Sequence, residues 1–197
     1  MSSESQEIAR LIELMPASGR MYCKLISQPQ QATVVDARVP LPWESTRPIR
    51  INFTLLNQLP MAQRDLLILH VVCWLTSIQW FKPELYQGLV ALGLAGTAFE
   101  LVQLNAAGTI TFAGLTALAA AQIWRNGRSS EIERIADEKA VQVAQRRGYS
   151  KTEAAEHLLA AIEAVAQLEG RPLTFNEQVR QQNLRGLIGL SPLDLQV

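Results

Sequence analysis

The sequence predicts a mainly α-helical membrane protein: a two-helix transmembrane hairpin inserted in a cytoplasmic helical domain that also carries a small β-hairpin. Two observations predict this class. From Leu85 to Ile123 the chain runs 39 residues with a single formal charge, Glu100. After that stretch, three segments each open on a helix-start signature and close on a glycine.

Within the uncharged stretch, Asn105-Ala106-Ala107-Gly108 reads as a turn that divides two apolar spans, Leu85 to Leu104 and Thr109 to Ile123. As helices rising about 1.5 Å per residue, and extended by flanking residues, they approach the roughly 30 Å hydrocarbon thickness of a bilayer. Trp80, Tyr86 and Trp124 stand at the outer ends, where aromatic rings favour a membrane interface. Lys82, Arg125 and Arg128 flank the spans while the turn has no cation, so the positive-inside rule places both termini in the cytoplasm. The expected location is therefore integral to a plasma or thylakoid membrane, with lipid as one partner. Gly88, Gly93 and Gly96 allow close helix contact, and Glu100 is a candidate contact for a protein partner.

The domain boundaries follow. Residues 1–82 form a cytoplasmic N-terminal part, 83–125 the hairpin and 126–197 a C-terminal three-helix part. Ser3 to Met15 carries Ile8, Leu11, Ile12 and Met15 at helical spacing behind Ser3-x-x-Gln6. β-branched runs at Ala32–Val39 and Ile49–Thr54, separated by prolines, read as a β-hairpin or two edge strands. Pro60 suits the start of a helix running to about Trp80, apolar nearly all round from Leu66 to Leu75 and hence buried. Ser130-x-x-Glu133, Ser150-x-x-Glu153 and Thr174-x-x-Glu177 open the last three helices, which end at Gly148, near Gly170 and at Gly189.

The 18 basic and 18 acidic residues cancel, so no overall field favours nucleic acid. Cys23 and Cys73 form no CxxC pair and no disulfide framework. Nucleotide-binding glycine loops, a serine-hydrolase elbow and an EF-hand loop are absent from the sequence. Arg146, Arg147, Arg180 and Arg185 read as a solvated cationic face.

One constellation carries chemistry. His70-Val71-Val72-Cys73-Trp74 stands before the hairpin, and Glu133-Arg134-Ile135-Ala136-Asp137 after it. With Thr54-Leu55-Leu56-Asn57-Gln58-Leu59 and Asp65-Leu66-Leu67-Ile68-Leu69 leading into His70, this order resembles integral-membrane zinc metallopeptidases of the HtpX and CAAX-prenyl-protease type. The resemblance implies a degenerate zincin-like frame. His70 matches the first imidazole ligand, Glu133 the third ligand and Asp137 the acidic residue beyond it. Val71 stands where the general base belongs and cannot accept a proton. Trp74 stands at the second imidazole, and its indole N–H has no lone pair for a metal. The chain also resembles an uncharacterised family of small cyanobacterial membrane proteins, through Arg64-Asp65-Leu66-Leu67, Trp80-Phe81-Lys82-Pro83, Ala136-Asp137-Glu138 and Gln145-Arg146-Arg147-Gly148-Tyr149.

The expected function is a non-catalytic integral-membrane scaffold or interaction protein. The resemblance sets it in assembly or quality control of membrane complexes, without a cofactor. His70, Cys73, Glu133 and Asp137 are then vestigial metal candidates. One alternative is an unorthodox zinc-dependent membrane hydrolase using His70, Cys73 and Glu133, since Cys73 lies three residues after His70 on a helix. The other is a soluble all-α binding module.

Overall fold

The computed structural model describes residues 3–41, 43–78, 85–103, 106–126 and 130–189. The chain forms two compact units, Met1–Ile78 together with Ser130–Val197, and Gln79–Ser129.

The first unit opens with helices α1 (Ser3–Leu14) and α2 (Ala17–Tyr22), then strands β1 (Cys23–Ser27), β2 (Val35–Ala37) and β3 (Arg47–Ile51). A one-turn helix α3 (Phe53–Leu56) and the long helix α4 (Met61–Ser77) follow. Helices α7 (Ser130–Gln145), α8 (Lys151–Leu168) and α9 (Phe175–Gly189) complete the unit. The sheet has the order β1-β3-β2, with β2 antiparallel to β3 and β1 parallel to it. β2 falls within the first β-branched run, whereas β3 starts two residues before the second, at Arg47, and the end of that run enters the one-turn helix α3. β1 is an addition, because Cys23-Lys24-Leu25-Ile26-Ser27 buries only Leu25 and so lacks a clear apolar alternation.

α4 is the centre of the unit, and its two faces enter two cores. Leu67, Ile68, Val72 and Leu75 pack with Leu11 and Met15, with Ile49 and Ile51 of the sheet, and with Val165 of α8. Leu66, Leu69 and Cys73 pack against Ala136, Ala140 and Ala144 of α7, Leu158 of α8 and Leu184 of α9. Burial on both sides explains why α4 is apolar nearly all round. The alanines let α7 and α8 come close to it.

Local chemistry fixes the ends of the elements. The Asn52 side chain accepts from the Thr54 and Leu55 amides to cap α3, and its Nδ2 donates to the Pro29 and Gln31 carbonyls. Ser150 and Glu153 form a reciprocal capping box at α8, and Thr174 and Glu177 one at α9. α7 and α8 stop at Gly148 and Gly170, whose φ values of 102° and 62° lie in the left-handed region that a Cβ disfavours. Arg147 is not a solvated cation. Its guanidinium donates to the Leu14 and Met15 carbonyls and so closes the C-terminal end of α1.

The second unit pairs helices α5 (Leu85–Val102) and α6 (Ala106–Asn126). Glycine allows the approach. A Cβ on Gly93 would stand 2.1 Å from Thr116 Oγ1, and one on Gly96 would stand 2.7 Å from Phe112 Cδ1. Glu100 folds back over the same hairpin, since a Cβ on Gly108 would meet its Cδ at 2.5 Å. Leu92, Phe99, Ile110 and Leu118 are exposed.

The transmembrane expectation is corrected here. Among the described residues no helix is long and apolar enough to cross a membrane. α5 has 18 residues, about 27 Å at roughly 1.5 Å each, and carries Gln87 and Glu100. α6 has 21 residues but is built largely from Ala, Gly and Thr and ends in Arg125-Asn126. The fold is mainly helical with a small sheet. The hairpin loses its transmembrane assignment, and with it fall the plasma or thylakoid membrane localisation and the cytoplasmic orientation built on it. Trp80, Lys82 and Arg128 lie outside the described residues, as do the side chains of Tyr86, Trp124 and Arg125.

Candidate functional site

His70 lies in the buried middle of α4, between the two cores. Glu133 and Asp137 are one turn apart on α7 and share the face turned to α4. His70 Nδ1 lies 2.7 Å from Asp137 Oδ1, and His70 Nε2 lies 3.1 Å from Glu133 Oε2. The first contact is off the axis of a hydrogen bond, so charge rather than direction sets its strength. The sequence-derived trio of His70, Glu133 and Asp137 is thus brought together in space.

A fourth member comes from α9. Arg180, buried to 8% exposure, donates from Nε to Asp137 Oδ2 at 2.9 Å and from Nη2 to Asp137 Oδ1 at 2.8 Å. Its Nη1 stands 3.9 Å from Glu133 Oε2. The reading of Arg180 as a solvated cation is therefore corrected. Glu177, Arg180, Gln181 and Leu184 recur at helical spacing, and the last three are buried on one face. That spacing was the available signal, but it does not say which carboxylate the arginine meets.

The four groups set one another's ionisation. Burial and Arg180 both push the His70 pKa down, but Asp137 and Glu133 outweigh them and hold it above its ordinary value. Burial pushes Asp137 and Glu133 up, yet His70 and then Arg180 more than reverse this, so both carboxyls stay below the usual range. Burial likewise opposes the Arg180 charge, and Asp137 and Glu133 restore it. With His70 protonated the cluster carries two positive and two negative charges.

Cys73 does not join this cluster. It lies in the core beside Ala136 and Ala140, and burial pushes its thiol up to about 12. Among the described residues no group of three His, Cys, Asp or Glu side chains is placed to hold a metal. Asp137 and Glu133 face opposite nitrogens of one ring, so they do not converge with His70 on a single point. Glu133 Oε2 turns to His70 and Arg180, while the Ser130 side chain of the expected helix cap lies outside the described residues. Trp74 lies beside the site with its indole Nε1 buried and, among the described residues, without a hydrogen-bond partner.

Next to the cluster a cleft of about 320 Å³ opens between α4, the β2 edge and the α8–α9 corner. His70, Glu133 and Arg180 form one end. At the other, Arg171 pairs with Glu169 at 2.6 Å and with Glu177 at 2.7 Å. Glu169 Oε1 also accepts the Val34 amide at 2.7 Å, tying the β2 edge to the end of α8.

The family described as "Protein of unknown function (DUF3318)" matches residues 9–149. The chain belongs to this family. The DUF3318 match contains His70, Glu133 and Asp137 and ends before Arg171, Glu177 and Arg180. No curated protein matches the chain, and no solved structure does. The comparisons lend no support to the metallopeptidase resemblance or to a cyanobacterial origin.

Proposed function

We propose that this DUF3318 protein is a non-catalytic protein-binding module, in which a neutral charge cluster stands where a metallopeptidase resemblance would put the zinc centre. The observation that carries this reading is the engagement of both His70 nitrogens by carboxylates, with Arg180 clamped on one of them. A catalytic zinc takes three protein ligands and keeps an open position. Here the position of the second imidazole is Trp74, the position of the base is Val71, and a guanidinium supplies the positive charge that a metal would bring. Such a site is suited to holding α4, α7 and α9 together beside a cleft, and a role in assembly or quality control of protein complexes follows from the resemblance alone.

The competing reading is a zinc hydrolase using His70, Cys73 and Glu133. It is weakened by the burial of Cys73 in a separate core and by the lack of a proton acceptor at Val71. The test is direct. Purified full-length protein, supplied with zinc, is expected to leave unfolded polypeptides intact and to hold no stoichiometric metal. Chelator-sensitive cleavage that disappears in His70→Ala overturns the proposal.

A further inference from the structure

We infer that α9 is a proton-sensitive latch: protonation of His70 weakens the docking of α9 on α7, and loss of that proton strengthens it. The inference goes beyond the protein-binding reading and does not depend on it.

Shared oxygen atoms carry the inference. Asp137 Oδ1 stands 2.7 Å from His70 Nδ1 of α4 and accepts from Arg180 Nη2 of α9 at 2.8 Å. Glu133 Oε2 stands 3.1 Å from His70 Nε2 and 3.9 Å from Arg180 Nη1. Two cationic groups from different helices thus compete for the same carboxylates of α7. With His70 protonated, lifting Arg180 away leaves one cation against two carboxylates. With His70 neutral, the same movement leaves two largely buried carboxylates and, among the described residues, no cation beside them. Uncompensated buried charge is costly, so the neutral ring makes Arg180 harder to remove. The coupling is reciprocal: Arg180 pushes the His70 pKa down, and the His70 proton weakens the hold on Arg180 to the same extent. The remaining charged groups of the cleft, Glu169, Arg171 and Glu177, pair with one another at its other end, and its β2 side is uncharged.

The packing of α9 makes it the element that responds. Its buried residues are Arg180, Gln181 and Leu184, so a single apolar side chain is buried among them. Leu187 and Ile188 are partly buried against the second core, and Phe175 is exposed. Among the described residues, α9 adds nothing to the first core, which joins α1, the sheet, α4 and α8. Polar contacts hold much of the helix: the two-point Arg180–Asp137 pair, and Gln181 Nε2 donating to Glu163 Oε1 at 3.0 Å. An element with little buried apolar surface opens locally at a lower cost than the whole fold. Because Glu177 and Arg180 line the cleft, lifting α9 opens the cleft beside His70.

Amide hydrogen exchange of the full-length protein, expressed as protection relative to the intrinsic rate at each pH, tests the latch from about pH 6 to about pH 9. Ring NMR marks the His70 titration in the same samples. Protection of α9 is expected to rise about fivefold or more as His70 loses its proton. Protection of α4 is expected not to rise, because His70 protonation stabilises the fold as a whole; a general gain of stability with pH therefore cannot imitate the result. His70→Gln keeps the other histidine, His157, and is expected to abolish the pH dependence of α9. Arg180→Gln leaves the α4–α7 contact in place and asks the same question from α9; it is expected to lower α9 protection at every pH and also to remove its pH dependence. Protection of α9 that stays constant or falls as pH rises in the parent protein overturns the inference. So does a pH dependence that persists in either folded variant. The non-catalytic reading stands apart from these outcomes and falls only to cleavage or stoichiometric zinc.

Discussion

His70 Nδ1 and Asp137 Oδ1 stand 2.7 Å apart across the α4–α7 contact, both almost fully buried. The ring bridges two carboxylates that burial would otherwise drive towards their neutral forms. Its protonation is therefore coupled to folding. The His70 pKa is raised in the folded protein, whereas the unfolded value is about 6.5. A raised value stabilises the fold fully below about pH 6.5, and this stabilisation is lost as pH rises through the folded pKa. Urea unfolding at a series of pH values is expected to show a stability that declines as pH rises above about 6.5. His70→Gln is expected to flatten that decline. A decline of the same size in His70→Gln would assign it to another group.

Among the described residues, removal of Arg180 leaves Asp137 and Glu133 with His70 as their cationic partner. Breaking one member from a buried ion pair costs about 3–5 kcal/mol. Arg180→Met is expected to lose stability on that scale in chemical denaturation. Combining it with Asp137→Asn is expected to cost less than the sum of the two single changes, because they share a network. Arg180 also pushes the His70 pKa down, so in a folded Arg180→Met protein the imidazole is expected to titrate higher still by NMR.

The features read from local sequence are those whose causes are local. Ser150-x-x-Glu153, Thr174-x-x-Glu177 and the left-handed Gly148 and Gly170 set helix ends through bonds spanning a few residues. The all-round apolar pattern of α4 required burial and led to His70. The parallel β1–β3 pairing and the Arg180–Asp137 pair join segments far apart in the chain, and Arg180 taken alone looks like any helical surface arginine. The transmembrane expectation for the hairpin fails for a different reason. Lack of charge is common to lipid-facing and helix-facing surfaces. Small residues at Gly93 and Gly96, with Glu100 folded over Gly108, belong to the helix-facing case and to helices of limited length and apolarity.

Gly19 of α2 packs directly on α4. A Cβ added there would lie 2.5 Å from Val72 Cγ1 and 3.3 Å from Met15 Cβ. Val72 is β-branched and held in one rotamer by its helix, so it cannot turn aside. Gly19→Ala is expected to destabilise the protein by about 1–3 kcal/mol through overpacking. Val72→Ala on the same chain is expected to recover part of that loss by removing the clashing methyl. Thermal melting of the single and double variants decides it, and a Gly19→Ala protein as stable as the parent would exclude the predicted clash.

Asp65 ties α1 to the α7–α8 corner by accepting from Tyr149 Oη at 2.9 Å and pairing with Arg10 Nη1 at 2.6 Å. Burial, followed by the neighbouring Asp65, pushes the Tyr149 phenol up to about 12. Spectrophotometric titration is expected to show one of the three tyrosines ionising well above the ordinary value of about 10. Tyr149→Phe is expected to remove that late step. The same change deletes one hydrogen bond to a carboxylate that keeps its arginine. Its cost is therefore expected near the low end of charged hydrogen bonds, about 1.5 kcal/mol. Asp65→Asn is expected to cost more, since it weakens the Arg10 pair as well as the Tyr149 bond. Equal losses in the two variants would mean that Arg10 contributes nothing through Asp65.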